Sequence, residues 1–177
     1  MPILVDIPNR QPPEASFFST STDDQKRLLE TIEQLNITPA KYPRLIDTFC
    51  GDQSVANLFE KSGWKSQNIL CVDIGTPEAQ PKYQLAHWDL VAVKDAILKG
   101  ALVPDFLSEY KYKFDIMTAY SPYVDEYLNM MPVEELLVLA NYFLRSGGLL
   151  THKSATSVKK INLNGWSQVG IFTYQKN

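Results

Sequence analysis

The chain has 177 residues, 45% of them hydrophobic and 21% charged, enough for one substantial core and little more. Seventeen Lys and Arg against twenty Asp and Glu give a formal charge of -3, which excludes a uniformly basic polyanion-binding surface and leaves only local basic patches open. Eleven Pro, eight Gly and a mean hydropathy of -0.19 exclude collagenous, low-complexity and disordered classes.

Residues 1–20 carry Pro2, Pro8, Pro12 and Pro13 with Phe17 and Phe18 and show neither helical nor strand periodicity, so they read as an N-terminal arm. Residues 21–177 read as a single domain. Thr22 and Gln25 have capping-box spacing, and Leu28, Leu29, Ile32 and Leu35 recur on one face, predicting a helix that ends before Pro39. Leu45 and Ile46 lead into Asp47, Phe49 and Gly51, and Val55, Leu58 and Phe59 follow at helical spacing, which is strand, glycine-bearing turn and helix. A second apolar run, Ile69 to Val72, closes on Asp73 before Gly75 and Pro77, and a short strand precedes Asp89.

Ala92 to Lys99 and Asp105 to Tyr110 read as helices, and Phe114 to Ala119 as a strand ending near Ser121 and Pro122. Met131 to Arg145 is an amphipathic helix stopped by Gly147 and Gly148, and Leu149 to Thr151 begin another strand. Asn164 and Gly165, between two β-compatible runs, predict a terminal hairpin. Alternating strands and helices imply an α/β fold of Rossmann-like, doubly wound type: a mostly parallel sheet with helices on both faces and a C-terminal antiparallel strand or hairpin. Ligands of such sheets bind outside the carboxyl ends of the strands.

No apolar run approaches the ~18 residues of a membrane span, and the N-terminus lacks a signal-peptide layout, so the expectation is a cytoplasmic protein without a membrane partner. Cys50 and Cys71 sit inside apolar runs, where reduced cysteine packs as a small hydrophobe. His87 and His152 lie far apart without cysteine neighbours, so no metal site is expected, and His152 reads as a surface or satisfied histidine.

Asp47, Phe49, Cys50, Gly51 and Ser54 form a turn where backbone amides and a carboxylate can face a ligand together. The positions from Gly51 read Gly, Asp, Gln, Ser, Val, Ala, so the G-x-G-x-x-G dinucleotide fingerprint is absent and a nicotinamide or flavin ranks low. Asp73, twenty-two positions beyond Gly51, can accept hydrogen bonds from both ribose hydroxyls of a nucleoside.

These residues resemble the class I S-adenosylmethionine (SAM)-dependent methyltransferases. Asp47-Thr-Phe-Cys-Gly51-Asp-Gln-Ser54 looks like their first motif, in the version found among nucleic-acid amino-methyltransferases. Asp73 matches the ribose-binding acid, Asp89 is similar to the residue that contacts the adenine amino group, and Phe114 to Tyr123 looks like the fourth strand with its catalytic turn. Leu144 to Leu150 resembles the glycine pair before the fifth strand, so the likeness runs in order from Asp47 to Leu150.

The resemblance implies SAM as cofactor, held by Asp47, Phe49, Cys50, Gly51, Gln53, Asp73, Ile74, Asp89 and Leu90. It implies an acceptor facing Tyr120, Ser121, Pro122 and Tyr123: Tyr123 would stack on an acceptor base, while carbonyls near Tyr120 and the Ser121 hydroxyl orient its amino group. A nucleic-acid base nitrogen is the favoured acceptor, and a second copy or a partner subunit stands open. Two positions depart from the family. Gln53 stands where members usually carry a second glycine, and the turn keeps only the final Pro-Tyr of the (Asp/Asn)-Pro-Pro-Tyr pattern.

Each residue also has a plainer reading. Asp47 can cap the helix behind it, Asp73 and Asp89 can be solvated strand ends, and Tyr120, Tyr123 and Tyr127 can form an aromatic cluster beneath a loop. The alternative function is accordingly a binding or regulatory protein that keeps the fold without catalysis. All twenty acids precede residue 151, whereas the last 27 residues hold four lysines and no acid, a solvated basic face or a phosphate contact.

Overall fold

The computed structural model describes residues 20–75, 81–100, 105–125, 127, 129–154 and 163–177. The N-terminal arm up to Ser19 and the basic pair Lys159 and Lys160 lie outside them.

Five helices and seven strands alternate along the described chain: α1 (Thr22–Gln34), β1 (Leu45–Thr48), α2 (Ser54–Lys61), β2 (Ile69–Asp73), β3 (Gln84–His87), α3 (Leu90–Leu98), α4 (Asp105–Ser108), β4 (Phe114–Tyr120), α5 (Val133–Phe143), β5 (Leu144–Lys153), β6 (Trp166–Gly170) and β7 (Thr173–Lys176). They build one seven-stranded sheet in the order β3-β2-β1-β4-β5-β7-β6. The first five are parallel neighbours, and β7 enters antiparallel to β5 and pairs with β6 as a hairpin. The expected Rossmann-like sheet and C-terminal antiparallel hairpin are both present.

Burial on both faces explains why β1, β2 and β4 read as continuous apolar runs rather than alternating ones. Alternate residues feed two separate cores. Ile46, Leu70, Val72, Met117 and Ala119 pack with Val93 of α3 and Leu136, Ala140 and Phe143 of α5, while Leu45, Ile69, Cys71 and Ile116 pack with Leu28 of α1 and Val55 and Phe59 of α2. Strand order reverses between β1 and β4, which opens the crevice at their carboxyl ends where ligands of such sheets bind.

Three boundaries differ from the sequence reading. The cap of α1 is Ser21 rather than Thr22: its hydroxyl accepts from the Asp24 amide, and Gln25 reaches back to the Thr20 carbonyl. The pair Asn164-Gly165 leads into β6, and the hairpin itself turns at Ile171 and Phe172. Strand β5 begins at Leu144, before the glycine pair, with an irregularity in its pairing to β4. Gly148 is needed there because a Cβ would lie 2.9 Å from the Arg145 carbonyl oxygen and 3.2 Å from that of Asp115.

Candidate functional site

The turn after β1 is tied to β2 through its backbone. The Cys50 amide donates to the Val72 carbonyl at 3.2 Å, and the Gly51 amide donates to Asp73 Oδ2 at 2.9 Å. Asp73 Oδ1 accepts the Gly75 amide at 3.1 Å, so this carboxylate ties together the loops that follow β1 and β2. Burial, partly offset by these amide bonds, raises its pKa above the usual carboxylate range. Each carboxylate oxygen has two lone pairs, so Asp73 retains acceptor capacity for a ligand's hydroxyls.

The turn is wound tightly. Phe49, Gly51 and Gln53 have φ of 55°, 51° and 66°, and only glycine adopts that region without strain. Gln53 is 5% exposed, and its Oε1 accepts the amides of Lys82 at 3.0 Å and Tyr83 at 3.3 Å, which braces the segment entering β3. Its Nε2 is buried without a hydrogen-bond partner among the described residues. Asp47, at the carboxyl end of β1, accepts the Thr118 hydroxyl on Oδ1 at 2.6 Å, while its Oδ2 has no hydrogen-bond partner among the described residues. Burial pushes the Asp47 pKa up to about 7, against the lowering effect of the Thr118 bond, and the nearby charges of Asp73 and Asp52 add to the rise.

Asp89 is the N-cap of α3: its Oδ1 accepts the Val91 amide at 3.1 Å and the Ala92 amide at 3.3 Å. It is buried rather than a solvated strand end, and Leu90 beside it belongs to the core. Ile74 is half-buried after Asp73. Cys50 and Cys71 are buried free thiols in mutual contact; the hydrogen bond to Cys71 and burial push the Cys50 pKa well up, so it is a packing group rather than a nucleophile. Among the described residues no cluster of His, Cys, Asp and Glu could hold a metal ion.

On β4 the turn residues divide. Tyr120 is buried against the α1 and α2 layer, its hydroxyl 3.1 Å from Thr151 Oγ1, with burial driving its pKa up to about 12. Its ring packs inside that layer. Ser121 has φ of 53°, another non-glycine residue in the left-handed region, and its amide donates to the Lys153 carbonyl at 3.0 Å. The Tyr123 amide donates to the Ser121 carbonyl at 2.8 Å, and Pro122 accepts the Met131 amide at 2.9 Å, so the segment after β4 folds back as a closed loop. Tyr123 is half-buried there, bridged to Met130.

Two further residues frame this edge. The Asp24 carboxylate, 3% exposed, takes Lys153 Nζ at 2.9 Å and the Ser21 hydroxyl at 2.8 Å, latching α1 to the end of β5. The Thr20 amide donates to Ser54 Oγ at 3.0 Å, so residue 20 lies beside the start of α2. His152 is buried, not at the surface: its Nδ1 lies 3.0 Å from Ser154 Oγ, it stacks on Tyr174, and its Nε2 has no partner among the described residues. Desolvation lowers its pKa to about 4, so its ring is neutral at physiological pH.

No family model matches the chain, and no curated protein matches it. Among solved structures it is similar to a SAM-dependent methyltransferase from Archaeoglobus fulgidus, at 17% identity and a TM-score of 0.49, over 80% of this chain and 56% of that one. It is likewise similar to a Haemophilus influenzae protein described as a methylase, at 12% identity and a TM-score of 0.49, over 85% of this chain and 95% of that one. A Pyrococcus horikoshii protein aligns at 14% identity and a TM-score of 0.40, over 78% of this chain and 61% of that one.

Proposed function

We propose that the chain is a SAM-dependent methyltransferase with its cofactor in the crevice at the carboxyl ends of β1, β2 and β4. The observation that carries the reading is a pair of unmet polar atoms in one turn. Asp47 Oδ2 is a buried acceptor and Gln53 Nε2 a buried donor, and among the described residues neither is completed by a well-placed partner, the Ala56 amide only approaching the Asp47 carboxylate. Buried groups of this kind are costly unless a ligand completes them. An amino-acid tail, with its ammonium and carboxylate, needs that combination of acceptor and donor. Asp73, oriented by the Gly51 and Gly75 amides, offers lone pairs to a ribose, and Asp89 and Leu90 would border the base.

When bound, SAM supplies a methyl carbon already activated by its sulfonium, so the protein needs chiefly to align the acceptor and exclude water. The absence of a nucleophile–base pair in the turn fits that division of labour. The acceptor would meet the Ser121 to Tyr123 loop, where the Ser121 hydroxyl and the half-buried Tyr123 ring suit a planar nitrogenous base, and a nucleic-acid base nitrogen is our preferred acceptor. Tyr120 would contribute its carbonyl only. Recognition of a larger substrate would draw on the arm, a second copy or a partner subunit.

Calorimetric titration with SAM and with its demethylated product tests the cofactor. Binding of either in the micromolar range is expected, and no heat with either at about millimolar ligand would refute the proposal. Transfer of a radiolabelled methyl group from SAM to RNA, DNA, protein or small-molecule fractions then identifies the acceptor. Gln53 and the altered turn also support a second reading, a protein of this fold that binds without transferring, and SAM binding with no labelled product in any fraction is its signature.

A further inference from the structure

The opposite edge of the sheet carries an unexplained concentration of positive charge. Six cations from distant parts of the sequence meet there: Lys41 and Arg44 before β1, Lys111 and Lys113 before β4, Arg145 at the start of β5 and Lys176 at the end of the antiparallel β7. Contacts join them into one surface. Arg145 Nη2 donates to the Lys41 carbonyl at 3.3 Å, and Asp115 accepts the Arg44 amide at 2.8 Å and pairs with the Arg145 guanidinium. Lys176 Nζ donates to the carbonyls of Asn141 and Leu144, both at 2.9 Å, at the end of α5.

The charge is not neutralised locally. Asp115 is buried and taken by Arg145, and Glu109 is exposed two residues before Lys111. Lys41, Arg44, Lys111, Lys113 and Lys176 have no carboxylate of the described residues within ion-pair distance. Burial, together with repulsion from Lys111, lowers the pKa of Lys176, which is how crowded, unpaired cations behave.

Aromatic rings are interleaved with these cations. Tyr112 is 51% exposed and held at φ 58°, with Lys176 Nζ 4.4 Å and Lys111 Nζ 5.0 Å from its ring centre; Lys111 also lies 5.9 Å from the ring of Tyr142. Near it is a cavity of about 240 Å³ bordered by Arg44, Lys113, Tyr110, Gln67 and Asn68, with Glu109 also on its rim. Unpaired cations for phosphates, an exposed ring and an adjoining concavity are the parts from which single-strand binding surfaces are built.

We infer that this amino edge of the sheet binds single-stranded nucleic acid through its phosphates, with Tyr112 contacting a base, as a surface separate from the carboxyl-edge crevice. An acidic protein would use the cations but not the ring, and duplex DNA would leave the ring without a base to meet, so the single strand fits best. The inference is independent of methyl transfer, because it concerns binding without cofactor at a different edge.

The test is fluorescence anisotropy of the full chain with labelled single-stranded RNA and DNA of about twelve nucleotides, and with the corresponding duplex, from about 50 to about 200 mM salt. Single strands are expected to bind more tightly than duplex. The double variant Lys111→Glu with Lys113→Glu should weaken them at least about tenfold and flatten the salt dependence, by about 0.7 in logarithmic slope per lost phosphate contact. The equal charge change Lys26→Glu with Arg27→Glu on α1 should cost less than about twofold. Tyr112→Ala, which removes the ring and no charge, should weaken single strands and leave duplex unchanged. Preference for RNA over DNA would show that sugar hydroxyls are read as well, and equal binding that phosphates and bases suffice. No single-strand binding by the parent, equal losses at both charge pairs, or indifference to Tyr112→Ala would overturn the inference, and unchanged thermal melting of the variants separates these outcomes from misfolding.

Discussion

The two edges of the sheet have opposite electrostatic characters although the same strands run between them. The carboxyl edge gathers Asp47, Asp73 and Asp89 as buried carboxylates, and its described cation, Lys153, is committed to Asp24. The amino edge gathers six cations near the buried Asp115, with the exposed Glu109 beside them. Burial separates them as well: the three carboxylates are enclosed, and desolvation raises the pKa of Asp47 and Asp73, whereas Lys111 and Lys113 stand exposed to water. An edge that orders loops through buried acids suits one small, partly cationic ligand. Exposed unpaired cations suit an extended anion.

The largest expected effect falls on the carboxyl edge. Asp73→Ala removes the group that holds the Gly51 and Gly75 amides and that we assign to a ribose. Losing two charge-assisted hydrogen bonds, about 1.5 kcal/mol each, should weaken SAM about 100-fold or more in calorimetry. SAM binding by the variant as tight as the parent's would break the ribose assignment. The amino-edge pair Lys111→Glu with Lys113→Glu should leave SAM affinity unchanged, and a loss there would show that the two edges are not separate.

His152 gives the next effect, on stability. Its folded pKa of about 4 lies below the unfolded value, so its neutral form is favoured in the fold. The corresponding stability is fully present above the unfolded value near 6.5 and is lost as pH falls from there towards about 4. About 2 kcal/mol should disappear across that window, discounted for partial relaxation of the site. Chemical denaturation of parent and His152→Gln at several pH values reads it directly: the parent should lose more stability on acidification than the variant. Equal acid sensitivity would mean that the imidazole gains solvent or a partner.

Asp47 is displaced in the other direction. With its folded pKa raised to about 7, its protonated form is favoured in the fold, and that contribution is lost as pH climbs from the unfolded carboxylate range through about 7. A sulfonium and an ammonium nearby would favour the charged carboxylate. SAM affinity should therefore rise about tenfold between about pH 6 and about pH 8, with a smaller rise for the uncharged thioether product. Asp73, Asp52, Cys50, Cys71 and Tyr120 are the other titratable groups coupled to Asp47, and His87 faces Asp73, so Asp47→Asn is the control that should flatten the profile.

Much of the carboxyl edge was legible in the sequence because each acid follows an apolar run in chain order, and a run buried on both faces ends where the strand meets the crevice. Asp47, Asp73 and Asp89 were found that way. The amino edge was not, because its cations are scattered from Lys41 to Lys176 and only the sheet register brings Lys176 beside Tyr112 and Leu144. Asn164-Gly165 misled for a related reason. The strongest local turn pair serves the entry to β6, while the hairpin is positioned by the pairing of β7 with β5, a long-range contact that a dipeptide does not report. His152 looked unremarkable because nothing near it in sequence reveals that Tyr174 and Phe172 cover its ring.

Gln53 gives the smallest effect on stability and the sharpest test of the crevice. As a departure from a glycine, it reads as an obstruction to an amino-acid tail. In the structure its carbonyl oxygen is occupied by the Lys82 and Tyr83 amides, which draws the side chain towards β3 and leaves the amide nitrogen as a donor. Gln53→Gly should relieve left-handed strain by about 1 kcal/mol and lose two hydrogen bonds of about 1 kcal/mol each, so melting should change little. Cofactor affinity separates the two accounts. A brace and donor predicts about tenfold weaker SAM in the glycine variant, most of it absent for an analogue lacking the tail carboxylate. An obstruction predicts tighter binding, and that result would remove Gln53 from the set of groups that hold the ligand while leaving the Asp73 assignment intact.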